Sequence, residues 1–173
     1  IGAYIYVGMV DNGGITHRVY RYADNNLAAG GTLMTIVGTA LGTTVAINQM
    51  VSDGISLWFN NDGGDTATNL HKFRNYTIGG TNLTSGATVT CGATSANFLR
   101  AAMDLAGNFY GHDNVTTRNI VRHNTAGTLQ KTTTKPIAGN SGIGIVIEGV
   151  PYIADSNLSN STGAHMVKVP ILP

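Results

Sequence analysis

The chain has 173 residues, enough for one domain with its own core, and only 11% of them are charged, with a net charge of +1. So weak a field does not gather polyanions, which argues against nucleic acid as a partner, and no apolar run reaches the roughly 18 residues that insertion across a membrane needs. Twenty-three glycines against four prolines, with abundant Thr and Asn, favour short strands and turns over helix, and the single Cys91 excludes an internal disulfide.

A block of about fifty residues recurs four times along the chain, the mark of a repeat architecture. Its cores are GAYIYVGMVD from Gly2, GISLWFNND from Gly54, GNFYGHD from Gly107 and GVPYIAD from Gly149. Each runs from a glycine to an aromatic (Tyr6, Trp58, Tyr110, Tyr152) and closes on an acid (Asp11, Asp62, Asp113, Asp155). A basic residue follows in each: Arg21, Lys72, Arg122 and Lys168. The units divide the single repeat domain at about 1–41, 42–93, 94–137 and 138–173.

In chain order, the first unit carries Gly2-Ala3 where an inner strand a should end, so it supplies strands b, c and d. The second is the fullest. Its strand a is expected over Val45–Val51, and the turn Ser52-Asp53-Gly54 leads to b over Ile55–Phe59. A loop from Asn60 to Asp65, strand c over Asn69–Tyr76, a Gly79-Gly80 turn and strand d over Ala87–Gly92 complete it. The third unit repeats this as Phe98–Asp104, Asn108–Gly111, Thr117–His123 and Leu129–Thr134, and the fourth reaches Pro173 after strand c. Ile5, Leu57, Phe109 and Ile153 are expected on equivalent b strands. The polar d strand Gln130 to Lys135 suits an outer edge that must not pair with strangers.

A four-stranded meander cannot hide its apolar faces alone, so the units must stack, radially as a β-propeller or in line as a β-solenoid. The stretch Met103 to Leu129, MDLAGNFYGHDNVTTRNIVRHNTAGTL, resembles an NHL-type propeller repeat: an Asp-x-x-Gly-Asn turn, an aromatic strand ending in Asp, an Asn/Arg-containing turn, an apolar strand and a Gly-Thr-Leu turn. The resemblance extends in part to all four units. The expected fold is therefore all-β, a propeller-like array of about four four-stranded antiparallel blades, with strand a lining a channel and d at the rim. About three and a half blades also lead us to expect a larger propeller, completed by further blades or by a neighbouring subunit.

Loops after strand b differ from unit to unit, and variable loops on a regular scaffold are where recognition resides. Asn12, Asn60, Asn61, Asp62, His112, Asp113, Asn114, Asp155 and Asn157 are the candidate ligand-binding residues there, with hydrogen-bonding chemistry suited to a protein or carbohydrate surface. The expected function is a non-catalytic recognition or assembly module without a cofactor. Low charge with high Thr, Asn and Gly also resembles extracellular and virion-surface β-proteins. The competing function is a metal-dependent hydrolase: propeller hydrolases and lactonases hold a divalent ion around the channel, and the resemblance implies Asn48, Asp104 and Glu148 as its ligands. Against that stands the ordinary role of an acid beside a turn, which is to accept backbone N–H bonds. The five histidines lack the close spacing of a metal motif, and no Gly-x-Ser-x-Gly elbow or phosphate loop occurs.

Overall fold

Bulky residues alternating with small polar ones, interrupted by Gly, Asn and Asp, form short strands buried on one or both faces. A computed structural model describes residues 3–10, 17–24, 26–41, 49–60, 72–92, 101–112, 119–134, 142–154 and 166–169. Among these are fifteen strands, one 3-10 turn at Leu27–Ala29 and no α-helix.

The first sheet is β1 (Tyr4–Val10), β2 (His17–Ala23) and β3 (Thr32–Leu33), adjacent in that order. The second contains β4 (Thr35–Val37), β5 (Met50–Ser52), β6 (Ser56–Asn60), β7 (Lys72–Gly79) and β8 (Asn82–Thr90), in the order β4-β8-β7-β6-β5. β9 (Ala102–Met103), β10 (Phe109–His112), β11 (Ile120–His123) and β12 (Leu129–Thr133) make the third as a meander. β13 (Gly142–Ile147), β14 (Val150–Ala154) and β15 (Met166–Lys168) make the fourth. The protein is thus all-β and built mainly from antiparallel strand pairs, with strands b, c and d in the first sheet and a, b and c in the last, as expected from the repeats. Ile5, Leu57, Phe109 and Ile153 all lie on b strands.

Strand alternation puts successive residues on opposite faces, and the chain uses this to bury both faces of its middle sheets. Each sheet has a back face toward the sheet before it in the chain and a front face toward the sheet after it. The front of the first sheet (Tyr6, Val19, Met34) meets the back of the second (Leu57, Phe59, Tyr76, Leu83) in one core. The front of the second (Val51, Trp58, Phe73, Val89) meets the back of the third (Met103, Phe109, Val121) in another. The front of the third (Ala102, Tyr110, Ile120) meets Val146 and Val169 of the fourth. Aromatic geometry fixes the middle interface: the Trp58 and Phe109 rings are edge-to-face at 5.2 Å and 89°, and Phe73 tilts on Phe109 at 4.9 Å. Such pairs add about 0.5–1.5 kcal/mol beyond burial.

Three details depart from the sequence reading. Asn60 is the last residue of β6 rather than the first of a loop: it pairs with Phe73, donates its N–H to the Gln49 carbonyl at 3.2 Å, and is 2% exposed. Strand d of the second unit begins at Asn82, because Gly79 pairs with Asn82 across a tight Gly80-Thr81 turn, and a register shift opposite the Arg74–Tyr76 stretch of β7 absorbs the extra length. The second sheet also gains a strand that a meander does not have. Thr35–Val37 pairs parallel to Asn82–Thr84 of β8, so d is not the outermost strand there. The β-branched Thr-Ile-Val segment is suited to that edge, and Met34 N–H to the Val19 carbonyl (2.8 Å) followed by Thr35 N–H to the Thr81 carbonyl (2.9 Å) carries the backbone from one sheet to the next.

Candidate functional site

The polar chemistry of the described residues concentrates at the a–b turns, where an acid holds the turn and the aromatic that follows it. In the second sheet Asp53 Oδ1 accepts the N–H groups of Ile55 (2.9 Å) and Ser56 (2.7 Å), while Oδ2 accepts the Trp58 indole N–H at 3.1 Å. In the third sheet Asp104 Oδ1 accepts the N–H groups of Ala106 (3.0 Å) and Asn108 (2.8 Å). Its Oδ2 accepts Asn108 Nδ2 (2.9 Å) and the Tyr110 hydroxyl (3.0 Å). That hydroxyl also lies 3.2 Å from the Gly149 carbonyl oxygen, which joins the third sheet to the fourth.

These contacts set the electrostatics. Burial alone would raise the Asp53 carboxyl, but the Ser56, Ile55 and Trp58 donors outweigh it and hold the group below its ordinary value. Tyr110 is pushed upward by burial and then by the Asp104 carboxylate, against a smaller opposing effect of Arg122, which hydrogen-bonds the same hydroxyl. Tyr6 behaves alike: burial raises it, and the neighbouring Arg21 pulls it back. A carboxylate has about four acceptor sites, and Asp104 spends its own on one turn and one tyrosine.

The basic series pairs with the aromatics. Tyr6 stands opposite Arg21, Tyr110 opposite Arg122 and Tyr152 opposite Lys168. The second sheet breaks the rule, with Asn75 opposite Trp58 and Lys72 at the other end of β7. Arg21 packs over the Tyr4 ring at 4.4 Å and donates through Nη1 to the Gly80 carbonyl at 2.6 Å, reaching the c–d turn of the next sheet.

Of the residues suggested for recognition, Asn60 is buried at the end of β6, where its Nδ2 and Oδ1 find no hydrogen-bond partner among the described residues. His112 ends β10. Asn12, Asn61, Asp62, Asp113, Asn114, Asp155 and Asn157 lie outside the described residues, as does Asp11. Of the residues implied for a metal, Asn48 also lies outside them, Asp104 is saturated in its turn, and Glu148 is exposed at a two-residue hairpin between β13 and β14. The Tyr110 hydroxyl brings that hairpin beside Asp104, and the contact is made by the Gly149 carbonyl. Among the described residues no group of three or more His, Cys, Asp and Glu side chains is placed to share an ion.

Two positioning elements escaped the sequence reading. The Gln49 side-chain amide brackets the Ala101 peptide: Oε1 accepts Ala101 N–H at 2.6 Å, and Nε2 donates to the Ala101 carbonyl, locking the second sheet to the third. Asn124 builds a second copy of the Asp104 turn. Its Oδ1 accepts from Ala126 N–H (3.0 Å) and Thr128 N–H (2.9 Å), as Asp104 does from Ala106 and Asn108. The spelling Asp-Leu-Ala-Gly-Asn against Asn-Thr-Ala-Gly-Thr was the available signal for the second; nothing local announces the first. Compared with protein-family models and with curated proteins, the chain finds no match.

Proposed function

We propose that the chain is a non-catalytic recognition and assembly module: NHL-like repeats arranged as propeller blades, meeting a protein or carbohydrate surface with the loops that follow strand b, in an extracellular or virion-surface setting. The observation that carries this reading is the use made of the acids. Asp53 and Asp104, the acids at the a–b turns of the second and third sheets, bind turn N–H groups and the aromatics Trp58 and Tyr110. They brace a scaffold, and the segments between strands b and c, which differ in sequence from unit to unit, are left to vary on it. Sheets that bury front face against back face in chain order are also what a radial stack requires.

The test has two arms. The protein is applied to a glycan array beside a variant whose 61–71 and 113–118 loops are replaced by Gly-Ser linkers, and the metal content of both is measured. Glycan binding that the loop variant loses is the expected result. A stoichiometric divalent ion that Asp104→Asn removes, together with ester or lactone hydrolysis, would overturn the reading.

A further inference from the structure

The residue just before the front-face aromatic of each b strand points to the back: Ile5, Leu57, Phe109 and Pro151. Leu57 is 2% exposed and Phe109 0%, each covered by the front of the preceding sheet, and Pro151 is buried as well. Ile5 is 40% exposed. Around it on the same face, Val7, Met9 and Leu33 are exposed too, Met9 at 47%. Ile5 stands opposite Tyr22 as Leu57 stands opposite Tyr76, so the open face repeats the chemistry of a covered one.

At the other end of the stack, the front of the fourth sheet carries half-buried Tyr152 opposite exposed Lys168, with Ile147 exposed and its partner Val150 buried, so this face is open in part. Inside the stack such front-face groups reach the turn carbonyls of the next sheet: Arg21 reaches that of Gly80, and Tyr110 that of Gly149. The back of the first sheet is exposed, so this chain's own fourth sheet does not cover it.

We propose that the back face of the first sheet binds the front face of the fourth sheet of a second copy of this chain, head to tail. The contact continues the interface that the chain already makes between its consecutive sheets, back face against front face. It rests on the reading of the protein as a stacked-sheet assembly module and names what assembles. Because the two surfaces differ, the contact is heterologous and propagates to a ring or a filament. β1 and β2 are seven residues long and β3 is two, so at about 4.8 Å between strands and about 3.3 Å per residue the face covers roughly 250 Å² a side. That is below the roughly 800 Å² a side of a standard stable interface, so the association is weak and shows only as the concentration rises.

Sedimentation velocity of the 18.0 kDa chain from about 1 to about 200 µM tests it. The expected result is a mass that grows with concentration, and at least a tenfold weakening by either Val7→Lys or Met9→Lys on the back face. Ile147→Lys with Tyr152→Ala on the front face should do the same. Thermal melts confirm that each variant is folded, and the two back-face variants check one another. Mixing a back-face with a front-face variant leaves one good face of each kind, so the mixture should form dimers and stop there. A wild-type chain that stays monomeric at the highest concentration overturns the proposal, and so does a front-face variant that still self-associates, since that means back-to-back pairing. Glycan binding by folded, monomeric Val7→Lys keeps the two readings separable: its loss counts against the loop-recognition reading and leaves self-association to be judged by mass.

Discussion

The Tyr110 hydroxyl donates to Asp104 Oδ2 across 3.0 Å, and through its contact with the Gly149 carbonyl it is the polar hinge between the third and fourth sheets. A hydrogen bond to a charged group is worth about 1.5–3 kcal/mol, and it is lost cleanly when the hydroxyl is removed from a ring that stays packed. Tyr110→Phe should therefore lower the urea-unfolding free energy by roughly 2 kcal/mol. Tyr152→Phe, at the equivalent position on the front of the fourth sheet, should change it by less than about 0.5 kcal/mol. Equal effects at the two positions would show that the acid–aromatic link does not brace the stack.

Asp53 makes the same point through pH. Its carboxyl is held below its ordinary value of 3.8 by the Ser56, Ile55 and Trp58 donors acting against burial. A depressed acid adds stability that is complete above the unfolded value and lost as pH falls through the folded one. Asp53→Asn keeps an acceptor oxygen for the turn but aims an N–H at the Trp58 indole donor, so the variant should be about 1–2 kcal/mol less stable near neutral pH. The difference should shrink as pH drops below about 4, because the wild type then loses what the variant already lacks. Unfolding midpoints measured across that range check it; parallel curves for the two proteins would rule out the ionised Asp53 as the cause.

The repeat was legible because its signals are local. A Gly-to-aromatic run gives a turn and a b strand wherever it falls, and strand alternation then assigns Leu57 and Trp58 to opposite cores without further information. The acids beside the a–b turns were equally readable as turn acceptors, and Asp53 and Asp104 are used that way. What could not be read was pairing at long range. β4 lies beside β8 although Leu83, the partner of Ile36, is 47 positions further along the chain, and that parallel pairing is decided by which edge is free in space. Gln49 grips Ala101 for a similar reason: it stands where two sheets approach, which no neighbour in sequence specifies. The tyrosine–arginine partners needed the register. Arg21 and Arg122 were visible as a series, but only the strand pairing puts them opposite Tyr6 and Tyr110.

Cys91 sits in the core between the second and third sheets, fully buried, and burial pushes its thiol up to about 12. The thiolate is the reactive form, so the native protein should resist a thiol-specific probe at neutral pH and react only as fast as it opens. Since the folded value is raised above the unfolded 9.0, the stability contributed is complete below 9.0 and disappears as pH climbs toward 12. Cys91→Ala should flatten this alkaline loss at a cost of roughly 1–2 kcal/mol for the smaller side chain. Rapid stoichiometric labelling of the folded chain would place Cys91 at the surface and refute the packing.

Glu148 has φ of +50° and Gly149 of +75°, so both central residues of the hairpin joining Ile147 to Val150 take the left-handed conformation that a tight two-residue turn demands. Glycine adopts it freely; glutamate, with its Cβ, does so at a cost of about 1 kcal/mol. Asparagine tolerates this conformation better, and Asn-Gly is the preferred pair for such a turn. Glu148→Asn should raise the unfolding free energy by roughly 0.5–1 kcal/mol, measured in urea with and without added calcium. If Glu148 is instead kept for an ion in the channel, the wild type should gain stability from calcium and the substitution should abolish that gain. Stabilisation by Asn that is indifferent to calcium assigns Glu148 to the turn alone and leaves the metal-dependent alternative without one of its three implied ligands.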